Sequence, residues 1–234
     1  MQYGFKGLLL VSAIAGAFVL AAERPSGAAG LMDLSRGQSH APDFVLSATD
    51  STGNVQKGNQ VQVGAQNFIN SMARRALDFL GNAQQTQSQK TESFRRLLEE
   101  NYDMETIGRF TLGRYWKTAT PQQRSEYQNL FKKRVVEMYS QRFSEYKGQK
   151  FETVSVRPEG ENDTVVTSKI VPADGSSEIM VDWRVRYKDG RYRVVDVIVE
   201  GVSMSVTQRS DFASVIQQGG GDVQVLIDHL KQKI

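Results

Sequence analysis

From Ala65 to Gly148 the hydrophobic residues of this chain recur every three or four positions, and from Phe151 onward they alternate. The first period is that of helices packed on one side, the second that of strands with one buried face. Ala65, Phe68, Ile69, Met72, Ala73, Ala76, Leu77 and Leu80 predict one helix, which Gly81 stops. A second carries Phe94, Leu97 and Leu98 among charges. Asp103 caps a short third with Met104, Ile107 and Phe110, ended by Gly113. Thr120-Pro121-Gln122-Gln123 is the clearest start signal, with a capping Thr, Pro in the first turn and Gln at the capping-box position. The helix it opens presents Tyr127, Leu130, Phe131, Val135, Met138, Tyr139 and Tyr146 on an apolar face and is predicted to run to Gly148.

Four strands follow: Phe151–Arg157, Thr164–Val171, Glu178–Lys188 and Arg191–Val199. The Asp189-Gly190 pair between the last two is a strong hairpin signal. In the third strand Ile179, Val181, Trp183, Val185 and Tyr187 share one face, while Asp182, Arg184, Arg186 and Lys188 share the other. One face is apolar and one wet, as in an antiparallel meander. Two helices close the chain, one with Phe212, Val215 and Ile216, the other with Val223, Leu226, Ile227 and Leu230. Helices before and after an antiparallel four-stranded sheet make an α+β domain, expected over residues 64–234.

Ahead of that domain, Lys6 precedes an uncharged, largely apolar run from Gly7 to Ala22. It is shorter than the roughly 20 residues that span a bilayer comfortably, so residues 1–22 read as a secretory signal peptide. Cleavage sites are offered by Val19-Leu20-Ala21 and by Gly27-Ala28-Ala29; the alternative is an uncleaved anchor. Residues 23–63, rich in Ser, Gly, Pro and Asn without a sustained period, are expected to form a flexible linker.

Composition narrows the chemistry. With no Cys and only His40 and His229, thiol catalysis, Cys-based metal sites, lipoprotein acylation and Ser-His-Asp catalysis drop out. A net charge of +3 is far from that of a nucleic-acid binder.

Three stretches together resemble the MlaC family, the toluene-tolerance class of periplasmic phospholipid carriers. They are Tyr102-Asp103-Met104-Glu105-Thr106-Ile107-Gly108-Arg109-Phe110-Thr111-Leu112-Gly113-Arg114-Tyr115-Trp116 with Ala119-Thr120-Pro121 behind it; the helix from Phe131 through Tyr139 to Gly148; and Val195-Asp196-Val197-Ile198-Val199-Glu200-Gly201-Val202-Ser203-Met204 with Thr207-Gln208-Arg209 following. Tyr192 stands where the family often has Trp. The resemblance implies a twisted antiparallel sheet wrapped by helices, with an apolar lipid cavity between them. It also implies a non-enzymatic periplasmic carrier with no cofactor beyond its phospholipid cargo. Such a carrier exchanges glycerophospholipid between an outer-membrane lipoprotein complex and an inner-membrane ABC transporter with its substrate-binding domain protein, in support of outer-membrane lipid asymmetry.

Elementary chemistry is consistent with that expectation. Burying an acyl chain of roughly 16 carbons contributes about 12 kcal/mol, so a carrier must offer an apolar interior of comparable quality. The candidate lining is Val181, Trp183 and Val185, facing Phe131, Val135 and Tyr139 of the long helix; a plain packed core is the competing reading. Trp116 is read as a rim or core anchor at a helix junction, with core favoured, and Gly201 as a position where a side chain would obstruct. Asp196, among apolar strand neighbours, needs a partner, for which Arg209 is the candidate. The basic hairpin of Arg184, Arg186, Lys188, Arg191 and Arg193 can meet acidic partners or headgroups, or simply be solvated. Rivals from other classes are an isomerase or dehydratase recruiting Asp196, Tyr139 and Tyr187, and a periplasmic chaperone.

Overall fold

The computed structural model describes residues 51–234, with side chains from residue 58 onward. The signal-peptide reading of residues 1–22 and most of the linker reading therefore lie outside the described residues. Helix α1 (Ser51–Gly81) begins well before the expected start at Gly64. Its residues 58–60 are exposed and Val63 is 56% exposed, so these early turns bury no stripe and carry no amphipathic period to read.

The helices that follow are delimited by local side-chain chemistry. α2 (Gln87–Asn101) opens on a capping box: the Gln89 amide donates to Thr86 Oγ1 (3.2 Å) and the Thr86 amide to Gln89 Oε1 (2.8 Å). α3 (Met104–Leu112) is capped by Asp103, which accepts from the Thr106 amide at 2.9 Å, and Gly113 ends it at φ 59°. After the single turn α4 (Tyr115–Thr118), α5 (Pro121–Ser140) starts on the Thr120/Gln123 box, as its sequence predicts. It stops at Ser140 rather than Gly148, and a 3₁₀ turn (Phe143–Glu145) follows. That break turns Phe143 inward, edge-on to Phe94 (5.4 Å) and Phe79 (6.0 Å).

Strands β1 (Lys150–Glu159), β2 (Asp163–Val171), β3 (Ile179–Lys188) and β4 (Arg191–Val199) form an antiparallel meander. A fifth strand, β5 (Val202–Ser203), joins beyond β4; two residues are too few to show a period, so the sequence predicts only four. The chain closes with α6 (Met204–Gln218) and α7 (Val223–Lys231).

Both tight hairpins place two successive residues at positive φ, Asp189 and Gly190 (51° and 75°) and Glu200 and Gly201 (49° and 77°), as primed turns require. The reading of Gly201 as an obstructed position is corrected here: a Cβ there would meet nothing within 4 Å. What demands glycine is the left-handed backbone of the turn.

The sheet buries one face. Trp183 lies between its cross-strand partners Val166 and Val197, with Val181 and Val185 on either side. α1 crosses this face against β1, β2, β3 and β4, and the small residues Ala65, Ala73 and Ala76 let its backbone come close. At one end Gly64 admits the hydroxyl of Tyr192, whose ring stacks on Phe68 (6.0 Å) and lies beside Tyr187 (4.6 Å). A Cβ on Gly64 would sit 2.0 Å from that hydroxyl oxygen and 2.6 Å from Cζ. Gly64→Ala is therefore expected to cost about 1–3 kcal/mol by overpacking. Tyr192→Phe removes the clashing oxygen, so in urea titrations the double variant should lose less than the sum of the two singles.

Candidate functional site

The six candidate lining residues all fall within one contiguous buried cluster. Trp183 is 0% exposed, and its indole N–H donates to Ser168 Oγ at 2.8 Å, while that hydroxyl donates to the Val181 carbonyl at 3.2 Å. The polar atoms in this part of the apolar face thus satisfy one another, which lets the tryptophan be buried without an orphan donor.

Facing elements differ from expectation. α1 lies directly on β3, whereas the backbone of α5 neighbours α2, α3 and α7. Phe131 stacks with Tyr127 (5.8 Å) and meets Phe212 of α6 edge-on (6.3 Å), and Tyr139 meets Phe94 edge-on (6.2 Å). Val135 reaches the sheet layer, lining with Val197, Leu98, Ile107 and Met204 a cavity of about 10 Å³. Room of that size suits about one water molecule. Apolar ligands of drug size fill about 300–1,000 Å³, so between α3, α5 and β4 the interior is closed around its own side chains.

Two further expectations are corrected. Asp196 does not pair with Arg209. It accepts from Ser203 Oγ (2.6 Å), the Ser205 amide (3.2 Å) and the Val197 amide (2.9 Å), tying β4 to the start of α6. A β-bulge places Asp196 opposite Arg184 and Val194 opposite Val185, leaving Val195 without a partner; sequence alternation alone does not show such a step. Arg209 instead lies 5.3 Å over the ring of Phe110 and fills the space beside Gly113. Trp116 is half-buried rather than enclosed, packed on the core from outside with the guanidiniums of Arg124 (5.4 Å) and Arg109 (5.9 Å) over its ring. Tyr115, its neighbour, takes the buried place.

Sequence reasoning did not identify a cleft of about 260 Å³ between α5, α6 and α7, walled by Phe131, Met138, Phe212 and Leu230. Asp211 faces it, with Oδ2 shielded and without a hydrogen bond; burial raises its carboxyl above the ordinary range. Among the described residues no three His, Asp or Glu side chains are placed to hold a metal, and no helix is long and apolar enough to cross a membrane.

A sequence profile of the MlaC protein family matches residues 70–232. The chain belongs to the MlaC family. An MlaC protein of Haemophilus influenzae, described as an intermembrane phospholipid transport system binding protein, is 26% identical over 133 residues. That alignment takes in 56% of this chain and 61% of the relative. The toluene tolerance protein ttg2D of Pseudomonas putida is 26% identical over 140 residues, 58% of this chain and 64% of its own length. Both alignments thus span less than two thirds of the relative. A phospholipid-binding protein of Ralstonia solanacearum, solved in complex with a phospholipid, has the same fold. Its TM-score is 0.62 at 23% identity, with 72% of this chain and 96% of that one covered. The MlaC α+β architecture expected from the sequence is therefore the architecture found.

Asp196→Asn would put an amide against three donors, so a loss of about 1–3 kcal/mol is expected. The measurement is chemical denaturation, read beside bound lipid per folded molecule, which should not change. For Asp211 the sign is opposite. A carboxyl raised in the folded state makes its stabilising contribution below its unfolded value and loses it as pH rises through the folded one. Asp211→Asn should accordingly raise Tm near neutral pH, with the gain vanishing at about pH 3.

Proposed function

We propose that this protein is a periplasmic phospholipid carrier whose interior, between the apolar sheet face and the helices laid on it, receives acyl chains. The observation that carries the reading is the continuous apolar interior centred on Trp183, in a chain of the MlaC family. The relatives' descriptions as phospholipid transport and phospholipid-binding proteins support the cargo. In this reading the carrier is exported by its amino-terminal segment and shuttles lipid between an outer-membrane complex and an inner-membrane ABC transporter.

The closed interior adds a mechanistic condition. The cavity of about 10 Å³ between α5 and the sheet holds no acyl chain, so in this reading a chain enters there only as the helix layer moves away from the sheet. Lipid then replaces side-chain contacts with acyl contacts of similar quality, and the two exchange at modest net cost. The large gain from burying a chain, about 0.8 kcal/mol per CH₂, is measured against water and not against another apolar host. A carrier built this way can take lipid and release it to a partner without chemical work.

Geometry gives the enzyme reading little support. Its three recruited residues sit in different settings: Asp196 is engaged by three donors at the β4–α6 corner, Tyr187 is 38% exposed, and Tyr139 is buried beside Phe94. A base must be within reach of the group it deprotonates and of its acid partner.

Lipid extraction and mass spectrometry of the purified protein should recover glycerophospholipid. Val181→Phe and Val185→Phe add volume to the lining at about 1–3 kcal/mol each, and should lower lipid per folded molecule while circular dichroism stays native. Wild-type protein with no lipid, unable to accept any from vesicles, would sink the reading. Undiminished lipid in both folded variants would move the site elsewhere.

A further inference from the structure

We propose that the corner built by α3, α4, the first turn of α5 and α6 docks on the surface of an anionic phospholipid bilayer. The charge accounting points to it. Several cations elsewhere are neutralised within the protein: Arg75 pairs with Glu100 (2.6 Å), Arg186 with Asp163 (2.7 Å) and Arg184 with Glu159 (3.2 Å). Arg193 donates to the carbonyls of Glu99 and Tyr102. The hairpin that looks most basic in sequence is thus largely spent on internal contacts.

At the α3–α6 corner the arginines turn to rings instead. Among the described residues, Arg109, Arg114, Lys117, Arg124 and Arg209 make no ion pair. Even Glu105, one turn before Arg109, does not close on it. Their partners are aromatic: Arg109 and Arg124 lie over Trp116, Arg114 over Tyr115 (4.9 Å) and Arg209 over Phe110 (5.3 Å). A guanidinium laid over a ring keeps its charge; Arg114 gives one edge donor to the Tyr115 hydroxyl (2.9 Å) and Arg124 one to the Lys117 carbonyl (3.3 Å), while the edges of Arg109 and Arg209 stay available for phosphate oxygens in a fork geometry.

Apolar side chains stand partly exposed among these cations. Phe110 is 41% exposed, and Val206, one turn before Arg209 on α6, is 55% exposed. Cations mixed with exposed aromatic and aliphatic groups fit a layer of phosphates with hydrocarbon just beneath, and the attachment is peripheral. An acidic protein would satisfy the charges but leave Phe110 and Val206 in need of dedicated pockets. The corner is also separate from the sheet face around Trp183, so docking and cargo can fail independently.

The test is sedimentation of the full chain with vesicles, one set mixing phosphatidylglycerol into phosphatidylcholine and one of phosphatidylcholine alone. Residues 7–22 contribute equally in every variant, so the differences between variants report the corner. Binding should favour the anionic vesicles and fall steeply with salt. Arg114→Ala and Lys117→Ala, at exposed positions, should each weaken it about fivefold, and Arg114→Lys should restore it. Phe110→Ser should lower affinity without changing the salt slope, while Lys188→Ala on the hairpin should change little. Equal binding to both vesicle types, or indifference to the corner variants in natively folded protein, overturns the proposal. So does corner-dependent binding to polyglutamate with none to vesicles, which would assign the surface to an acidic protein. Lipid extracted from the same variants should remain at the wild-type level; its loss in the wild type would strike the carrier reading and leave this one standing.

Discussion

A sheet with one apolar face has to be covered, and most of this molecule follows from how that is done. β2, β3 and β4 present Val166, Trp183 and Val197 in one row across the sheet. Left in water, a single such side chain forgoes about 1.5–3 kcal/mol. The meander is continuous in sequence, so the cover must come from helices before and after it. α1 lies closest because its contact side carries alanines; α5, with Tyr127, Phe131 and Tyr139, stands further off and packs on other helices. The outcome is a layered α+β domain in which the space between layers is set by side-chain size rather than by backbone contact.

Polar groups within that space are few and matched. Ser168 receives the Trp183 indole proton and passes its own to a strand carbonyl. Thr111 Oγ1 and the Tyr127 hydroxyl meet at 2.8 Å, and burial pushes the Tyr127 phenol far above its ordinary pKa, so it stays neutral. Neutral, internally satisfied groups ask nothing of a guest. An interior of this kind discriminates by shape and apolarity and not by charge, which suits acyl chains and leaves any headgroup outside.

The sequence made the layers legible and hid the corners. Alternation along β3 and the 3.6-residue period of α5 place Val181, Trp183, Val185, Phe131 and Val135 in the core because burial is what such periods record. Thr120-Pro121-Gln122-Gln123 reveals a helix start because the capping box is a local contact. The bulge at Val195 and the Asp196–Ser203 contact leave no period, and charge together with its place after the Gly201 turn makes Arg209 the candidate partner of Asp196. A guanidinium near a surface can be satisfied by a carboxylate, a carbonyl, water or an aromatic face, and only the fold decides between Asp196 and Phe110. The turns of α1 around Gly58 and Val63 are hidden for a related reason: their described side chains form no buried stripe, so they carry no amphipathic signature, and Gly58 and Asn59 look like linker.

Charge and apolarity are thus sorted to different parts of the chain. The hairpin with the densest run of basic residues spends Arg184 and Arg186 on carboxylates of β1 and β2 and Arg193 on carbonyls at the end of α2. The α3–α6 corner spends its arginines on rings and retains its net charge. A Coulomb attraction acts over the roughly 8 Å Debye length at physiological salt, while hydrophobic gain needs contact. In the proposed carrier an exposed cationic corner can hold the protein at a membrane before any apolar surface is uncovered. The interior then need open only where a lipid layer is already at hand, and α1 can stay packed on the sheet for the rest of the journey through water.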